Sequence, residues 1–160
     1  GNVLNQKAKE EIRGKEISLI PQSVNFLDPL MKIADQVIGE CETEEECREK
    51  QIKQRKIFEK YGLSEDVDNM YPFQLSGGMA RRVLISTALL SNPKLIIADE
   101  PTGNLDSKTT SEVIGVLKSS SHKYNQTIIM VTHNEVLAQA CDRILRIEDG
   151  ILRKVGEQDV

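Results

Sequence analysis

Apolar residues return along this chain in two rhythms. Short uninterrupted runs occur at Ile17, Leu19 and Ile20, at Leu95–Ala98 and at Thr127–Val131. Such runs read as strands, and Leu95–Ala98 reads as one covered on both faces of a parallel sheet. Elsewhere the apolar positions fall three or four apart, as on one face of a helix. Leu30, Ile33, Ala34, Val37 and Ile38 do so after a break at Pro29, and Gly39 ends that helix. Val83, Leu84, Ala88, Leu89 and Leu90 mark the buried side of a helix from Gly77 to about Leu90, stopped by Asn92-Pro93. Val113, Ile114, Val116 and Leu117 mark another, capped by Asp106 or Ser107 and running to about Ser120. Thr43 with Glu46 three positions later has the form of a capping box. The helix it starts runs to Lys60 or Tyr61, with Gly62 as its left-handed terminator. Its charges, among them Arg48, Lys53 and Arg55, read as a solvated face opposite a thin apolar side of Ile52, Ile57 and Phe58. Short helices are expected around Lys7–Ile12 and Asn134–Ala140. A hairpin is expected from Arg143–Ile147 through Asp149-Gly150 to Ile151–Val155.

Composition narrows the picture in a few places. The chain has 160 residues, 39% of them apolar and 29% charged, which suits one globular domain. Aromatics make up 4% and Trp is absent, so the core must be mainly aliphatic. A net charge of −4 gives no support for a nucleic-acid partner. No apolar run approaches the roughly 18 residues of a membrane span, and no signal peptide opens the chain, so any membrane connection must pass through a partner protein. Cys41, Cys47 and Cys141 lack metal-site spacing and read as reduced thiols, with Cys41 and Cys47 able to form at most one bridge.

The candidate chemistry lies between Leu75 and Asp106. A Ser76-Gly77-Gly78 turn opens a helix, where Ser76 suits an N-cap and the glycines let backbone N–H groups approach an anion. The apolar strand at Leu95 ends in two carboxylates, Asp99 and Glu100, and the turn Pro101–Asp106 leads into the next helix. Ligands of parallel sheets sit at the carboxyl ends of strands. A nucleotide triphosphate with Mg²⁺ needs backbone N–H groups for phosphate, one carboxylate for the metal and a second to handle water. Neighbouring carboxylates on an extended chain point differently and can take those different tasks.

This order of motifs resembles the ATP-binding-cassette (ABC) ATPases. Leu75–Met79 looks like their signature motif, Leu95–Glu100 like the Walker B strand, and Gly103–Asp106 like the D-loop. Val131-Thr132-His133 resembles the H-loop and Ile17–Gln22 the Q-loop strand. The resemblance implies an α/β fold: a partial P-loop NTPase core, a parallel sheet with flanking helices, carrying an ABC-type all-helical subdomain. It divides the chain into a core segment at 1–26 ending in the Q-loop, a helical subdomain at 27–92 with the signature, and the rest of the ATPase core at 93–160. It implies ATP and Mg²⁺ as cofactors. Asp99 is expected to bind Mg²⁺, Glu100 to polarise the attacking water, and Gln22 to reach both metal and water. His133 is expected at the γ-phosphate. Ser76, Gly77, Gly78 and Asp106 are expected at the nucleotide held by an opposite subunit. His122 falls in a polar connection and carries no role.

No G-x-x-x-x-G-K-[ST] sequence occurs, and twenty-one residues precede Gln22. The expectation is a C-terminal portion of such an ATPase, inactive alone for want of the phosphate-cradling loop. In the intact protein the resemblance implies a second ATP-binding subunit and transmembrane permease subunits, at the cytoplasmic face of the membrane. An extracytoplasmic solute-binding protein would act indirectly. The segment Asn25–Pro29 resembles the oligopeptide, dipeptide and nickel importers, with Asp28 in place of Asn. These usually carry Gln-Arg after the signature, where this chain has Arg81-Arg82. The Pro101–Asp106 text is also common in lipoprotein- and macrolide-exporter ATPases, which makes an exporter the alternative. A truncated, non-enzymatic interaction module is a further one. A DNA-repair or condensation ATPase would need a long coiled coil between Gln22 and Ser76, where only fifty-three residues stand.

Overall fold

In the computed structural model, residues 5–103 and 105–154 are described. A first helix, α1 (Gln6–Ile12), leads to the strand β1 (Ile17–Ile20). Three helices follow: α2 (Ile33–Ile38), α3 (Glu44–Lys60) and α4 (Gly77–Leu90). The chain then returns through β2 (Leu95–Asp99), α5 (Ser107–Tyr124) and β3 (Thr127–Val131). It ends in α6 (Glu135–Gln139) and the hairpin β4 (Leu145–Glu148) and β5 (Ile151–Lys154). Val155, expected in the return strand, lies outside the described residues.

The three strands form one parallel sheet in the order β1-β2-β3. Its inner face, Ile20, Ile96 and Ala98, is fully buried in a core shared with Ile33, Phe58, Val67, Val83, Ile85, Val113 and Leu117. One apolar core therefore runs from the sheet through α4 into α2 and α3. The hairpin is a separate antiparallel pair turning at Asp149 (φ 50°) and Gly150 (φ 77°), the left-handed pair of a tight hairpin turn.

Several expectations change. The sheet's outer face is not covered: Ile129 and Val131 of β3 are 51% and 55% exposed and Leu19 is exposed with them, while Leu95 and Ile97 are half-buried. β2 is thus fully covered on one face and only partly on the other, and β3 alternates between exposed and half-buried positions. A run such as Ile128–Val131 has apolar residues on both faces and cannot announce which face finds a neighbour. Leu30 is 88% exposed and lies outside α2, because an Asp28 side chain caps its N–H at 2.8 Å in a turn that precedes the helix. Arg55 is not part of a solvated face. It pairs with Asp68 at 2.9 Å, and the buried Gln54 amide donates to the same carboxylate at 2.8 Å. Asp68 arrives there because the turn at Glu65–Asn69 folds back over α3 around the buried Val67.

α5 runs a turn further than Ser120, to a left-handed Asn125 (φ 51°), so His122 is helical. Cys41 and Cys47 are joined in a disulfide, contrary to the reduced reading. Cys41 precedes the α3 cap Thr43 and Cys47 sits in the first turn, which brings their Cα atoms to 5.5 Å, within the reach of a bridge. At that cap, Thr43 Oγ1 accepts from Glu46 N–H at 3.1 Å, and the Glu46 carboxylate accepts from the N–H of Glu42 at 2.8 Å.

Candidate functional site

Parallel pairing brings three chain segments to one edge of the sheet. Ile20 pairs with Ala98, and Asp99 with Val131. Gln22, Asp99-Glu100 and Thr132-His133 therefore all leave the carboxyl ends of neighbouring strands. Glu100 turns sharply out of β2 with φ 43°, and its N–H donates to Val131 O at 2.9 Å. The Gly103 N–H closes the turn on Glu100 O at 2.9 Å, and a Cβ at Gly103 would meet that oxygen at 3.3 Å.

The Glu100 carboxylate is held by three hydrogen-bond contacts at this edge. The His133 backbone N–H donates to Oε1 at 2.8 Å, and His133 Nδ1 lies 2.7 Å from the same oxygen. The Thr132 hydroxyl donates to Oε2 at 3.1 Å. Burial pushes the carboxyl pKa up, but the three donors outweigh it and hold the group below the ordinary glutamate value. An ionised carboxylate only accepts, so Nδ1 of His133 donates to Glu100, and the rest of this exposed ring is left open. Asp99 is half-buried, and its carboxylate has no hydrogen bond or ion pair among the described residues. Gln22 is exposed, and its side-chain amide is equally unpartnered there.

The second group gathers at two helix starts. Ser76 caps α4, its hydroxyl accepting from Met79 N–H at 3.2 Å. A Cβ at Gly77 would meet nothing within 4 Å, and one at Gly78 would only touch Thr109 Cγ2 at 3.5 Å. Packing within this chain does not demand either glycine. Thr109 in turn donates from its N–H and hydroxyl to Asp106 at 2.9 and 2.7 Å. The N-terminal ends of α4 and α5 are thus neighbours, and Asp106 is the cap of α5. The N–H and hydroxyl of Thr109 hold the Asp106 carboxyl below its usual range. Asn104 lies outside the described residues.

Sequence reasoning gave no part to Thr132 or Arg81. Thr132 stands within the text that suggested the H-loop, but its hydroxyl contact to Glu100 depends on where β2 and β3 end. Arg81 is buried and donates to the carbonyls of Pro21 and Gln22. Its signal was the substituted position after the signature.

The chain thus has a parallel α/β sheet with acids, histidine and glutamine at its strand ends and a Ser-Gly-Gly helix start. The family model for the ABC transporter matches residues 1–103. The chain is 38% identical over 155 residues to the macrolide export ATP-binding/permease protein MacB of Syntrophobacter fumaroxidans, covering 93% of this chain and 21% of that protein. It is 37% identical over 141 residues to the oligopeptide transport ATP-binding protein AppD of Bacillus subtilis, covering 84% of this chain and 43% of that one. Among solved structures, the dimeric bacterial ABC transporter cassette MJ0796 superposes with a TM-score of 0.81 at 31% identity, covering 95% of this chain and 68% of its own. The same cassette has been seen bound to ADP and Pi in a post-hydrolysis state, with a TM-score of 0.79. This chain belongs to the ABC transporter family. It spans less than half the length of both sequence relatives. No helix among the described residues is long and apolar enough to cross a membrane.

Proposed function

We propose that the intact protein is the ATP-hydrolysing subunit of a membrane transporter, with Glu100 as the residue that polarises the attacking water. The observation that carries this is the Glu100 carboxylate held ionised by His133 and Thr132 at the ends of neighbouring strands. An acceptor so fixed can orient and polarise a water without first having to reorganise. His133 Nδ1 is committed to Glu100, which leaves Nε2 as the nitrogen that would donate to a γ-phosphate oxygen once it carries a proton. The free carboxylate of Asp99 and the free amide of Gln22 fit a hard cation, and these two residues would hold Mg²⁺ together with nucleotide oxygens and water. When bound, the metal supplies positive charge to the transferring phosphoryl group.

Ser76, Gly77 and Gly78 lie at the N-terminus of α4, open to an anion from outside the chain, and Asp106 caps the neighbouring start of α5. In this reading they complete the site of a second ATP-binding subunit. Residues 27–92 serve as the helical subdomain between core segments at 1–26 and 93–160. Permease subunits place the assembly at the cytoplasmic face of the membrane, and a solute-binding protein acts through them. The 160 residues alone carry the water and metal side of the site without a P-loop, and are inactive.

Peptide or nickel import is the favoured transport, on the Asn25–Pro29 text. Export is the second reading, on the Pro101–Asp106 text and the relationship to a macrolide export protein. Transport by inside-out vesicles carrying the permease separates them: ATP-driven loss of solute from the lumen indicates import, and ATP-driven accumulation export. The test of the catalytic assignment is Glu100→Gln in the full-length protein. Turnover falls by at least ~10²-fold while Mg-ATP is still bound. Unchanged turnover refutes the role of Glu100. Calorimetry of the 160-residue chain with Mg-ATP gives no binding heat, and stoichiometric binding would refute the need for a P-loop.

A further inference from the structure

Arg81 stands on the first turns of α4, just beyond the Ser76-Gly77-Gly78 start, and is only 3% exposed. Burying a guanidinium is costly unless its donors are satisfied. No carboxylate pairs with Arg81 among the described residues. Instead Nη1 donates to the carbonyl of Pro21 and Nη2 to the carbonyl of Gln22, and Nε is buried without a partner. Those carbonyls have a need of their own. The β1–β2 ladder ends at Ile20 and Ala98, so Pro21 and Gln22 have left the sheet that would have paired them. A planar fork with two separate nitrogens meets two successive carbonyls, a geometry that lysine's single nitrogen does not reproduce.

We propose that Arg81 is a positioning residue. By holding the peptide planes on either side of Gln22 it sets the direction of the Gln22 side chain, and it ties that residue to the helix that carries Ser76, Gly77 and Gly78. The Gln22 amide has no partner of its own among the described residues, so its aim depends on its backbone. The tie also makes Gln22 follow α4: a tilt of that helix carries Gln22 with it relative to Asp99 and Glu100. The catalytic consequence of this tie rests on the reading of Gln22 as a nucleotide-site residue.

The test uses the full-length protein with Arg81→Met, which keeps the bulk and removes the donors, Arg81→Lys, and Gln22→Ala as reference. Amide hydrogen exchange and steady-state turnover are measured together. In Arg81→Met the amides at 22–26 exchange faster while those of Val83–Leu89 in α4 keep their protection. Its kcat falls roughly tenfold with an unchanged KM for Mg-ATP, as expected for a misaimed group. Arg81→Lys recovers part of both. Unchanged exchange at 22–26, or loosening spread equally through α4 with no rescue by lysine, overturns the proposal. So does a normal kcat in Arg81→Met beside a lowered one in Gln22→Ala. If Gln22→Ala turns over normally while Arg81→Met loosens only 22–26, the nucleotide role of Gln22 fails and the tie itself stands.

Discussion

At the scale of single residues, the Glu100 carboxylate concentrates most of what this chain can do. Its position on the sheet edge comes from β2, its sharp exit from a left-handed backbone, and its charge from donors on the neighbouring strand end. The pH consequence has a definite sign. The folded carboxyl titrates below the ordinary glutamate value, so the stabilisation it gives is present above the unfolded value of about 4.3 and is lost as pH falls through the folded one. Carbon NMR of labelled glutamate should place this carboxyl as a low-titrating group, and Thr132→Val should move it upward. No movement would mean that the Thr132 hydroxyl does not hold it.

At the scale of elements, α3 and α6 make separable predictions. Phe58 on α3 is fully buried, and Phe58→Ala should cost about 3–5 kcal/mol of unfolding free energy by denaturant titration. Asn134 caps α6 by accepting from the N–H groups of Val136 and Leu137 at 3.0 and 3.2 Å. Asn134→Ala should cost about 1 kcal/mol in the same titration. The bridge between Cys41 and Cys47, six positions apart, closes a short loop at the start of α3. Reduction should lower unfolding free energy by about 2 kcal/mol through the larger freedom of the unfolded loop. A titration unaffected by reductant would show that the bridge adds no stability.

At the scale of the 160-residue chain, the described residues of the sheet are buried on one face and exposed on the other. Leu19, Ile129 and Val131 form an exposed apolar surface flanked by two strand edges. Exposed edges and apolar faces pair with further copies of themselves. The 160-residue chain should therefore associate with rising concentration in sedimentation velocity, and the double change Ile129→Lys with Val131→Lys should reduce it. Association that survives both lysines would place the contact elsewhere.

The sequence alone determined the local pieces. Ser76 and Thr43 announced their caps, because a side-chain oxygen ahead of a helix has one satisfying geometry. Gly39 and Gly62 announced their stops, because both need positive φ. The order Ser76, Asp99-Glu100, Asp106, His133 was legible because chemistry stands at the ends of elements that pattern can locate. What only the tertiary structure decided depended on distant neighbours. Apolar runs do not say which face of β2 is closed, nor charge runs that Asp68 reaches Arg55. Nor did the sequence say that a guanidinium in an apolar helix would be needed by two carbonyls released from the end of β1. Each of these answers waits on where another segment lies, because burial and hydrogen-bond satisfaction are properties of neighbours in space rather than along the chain.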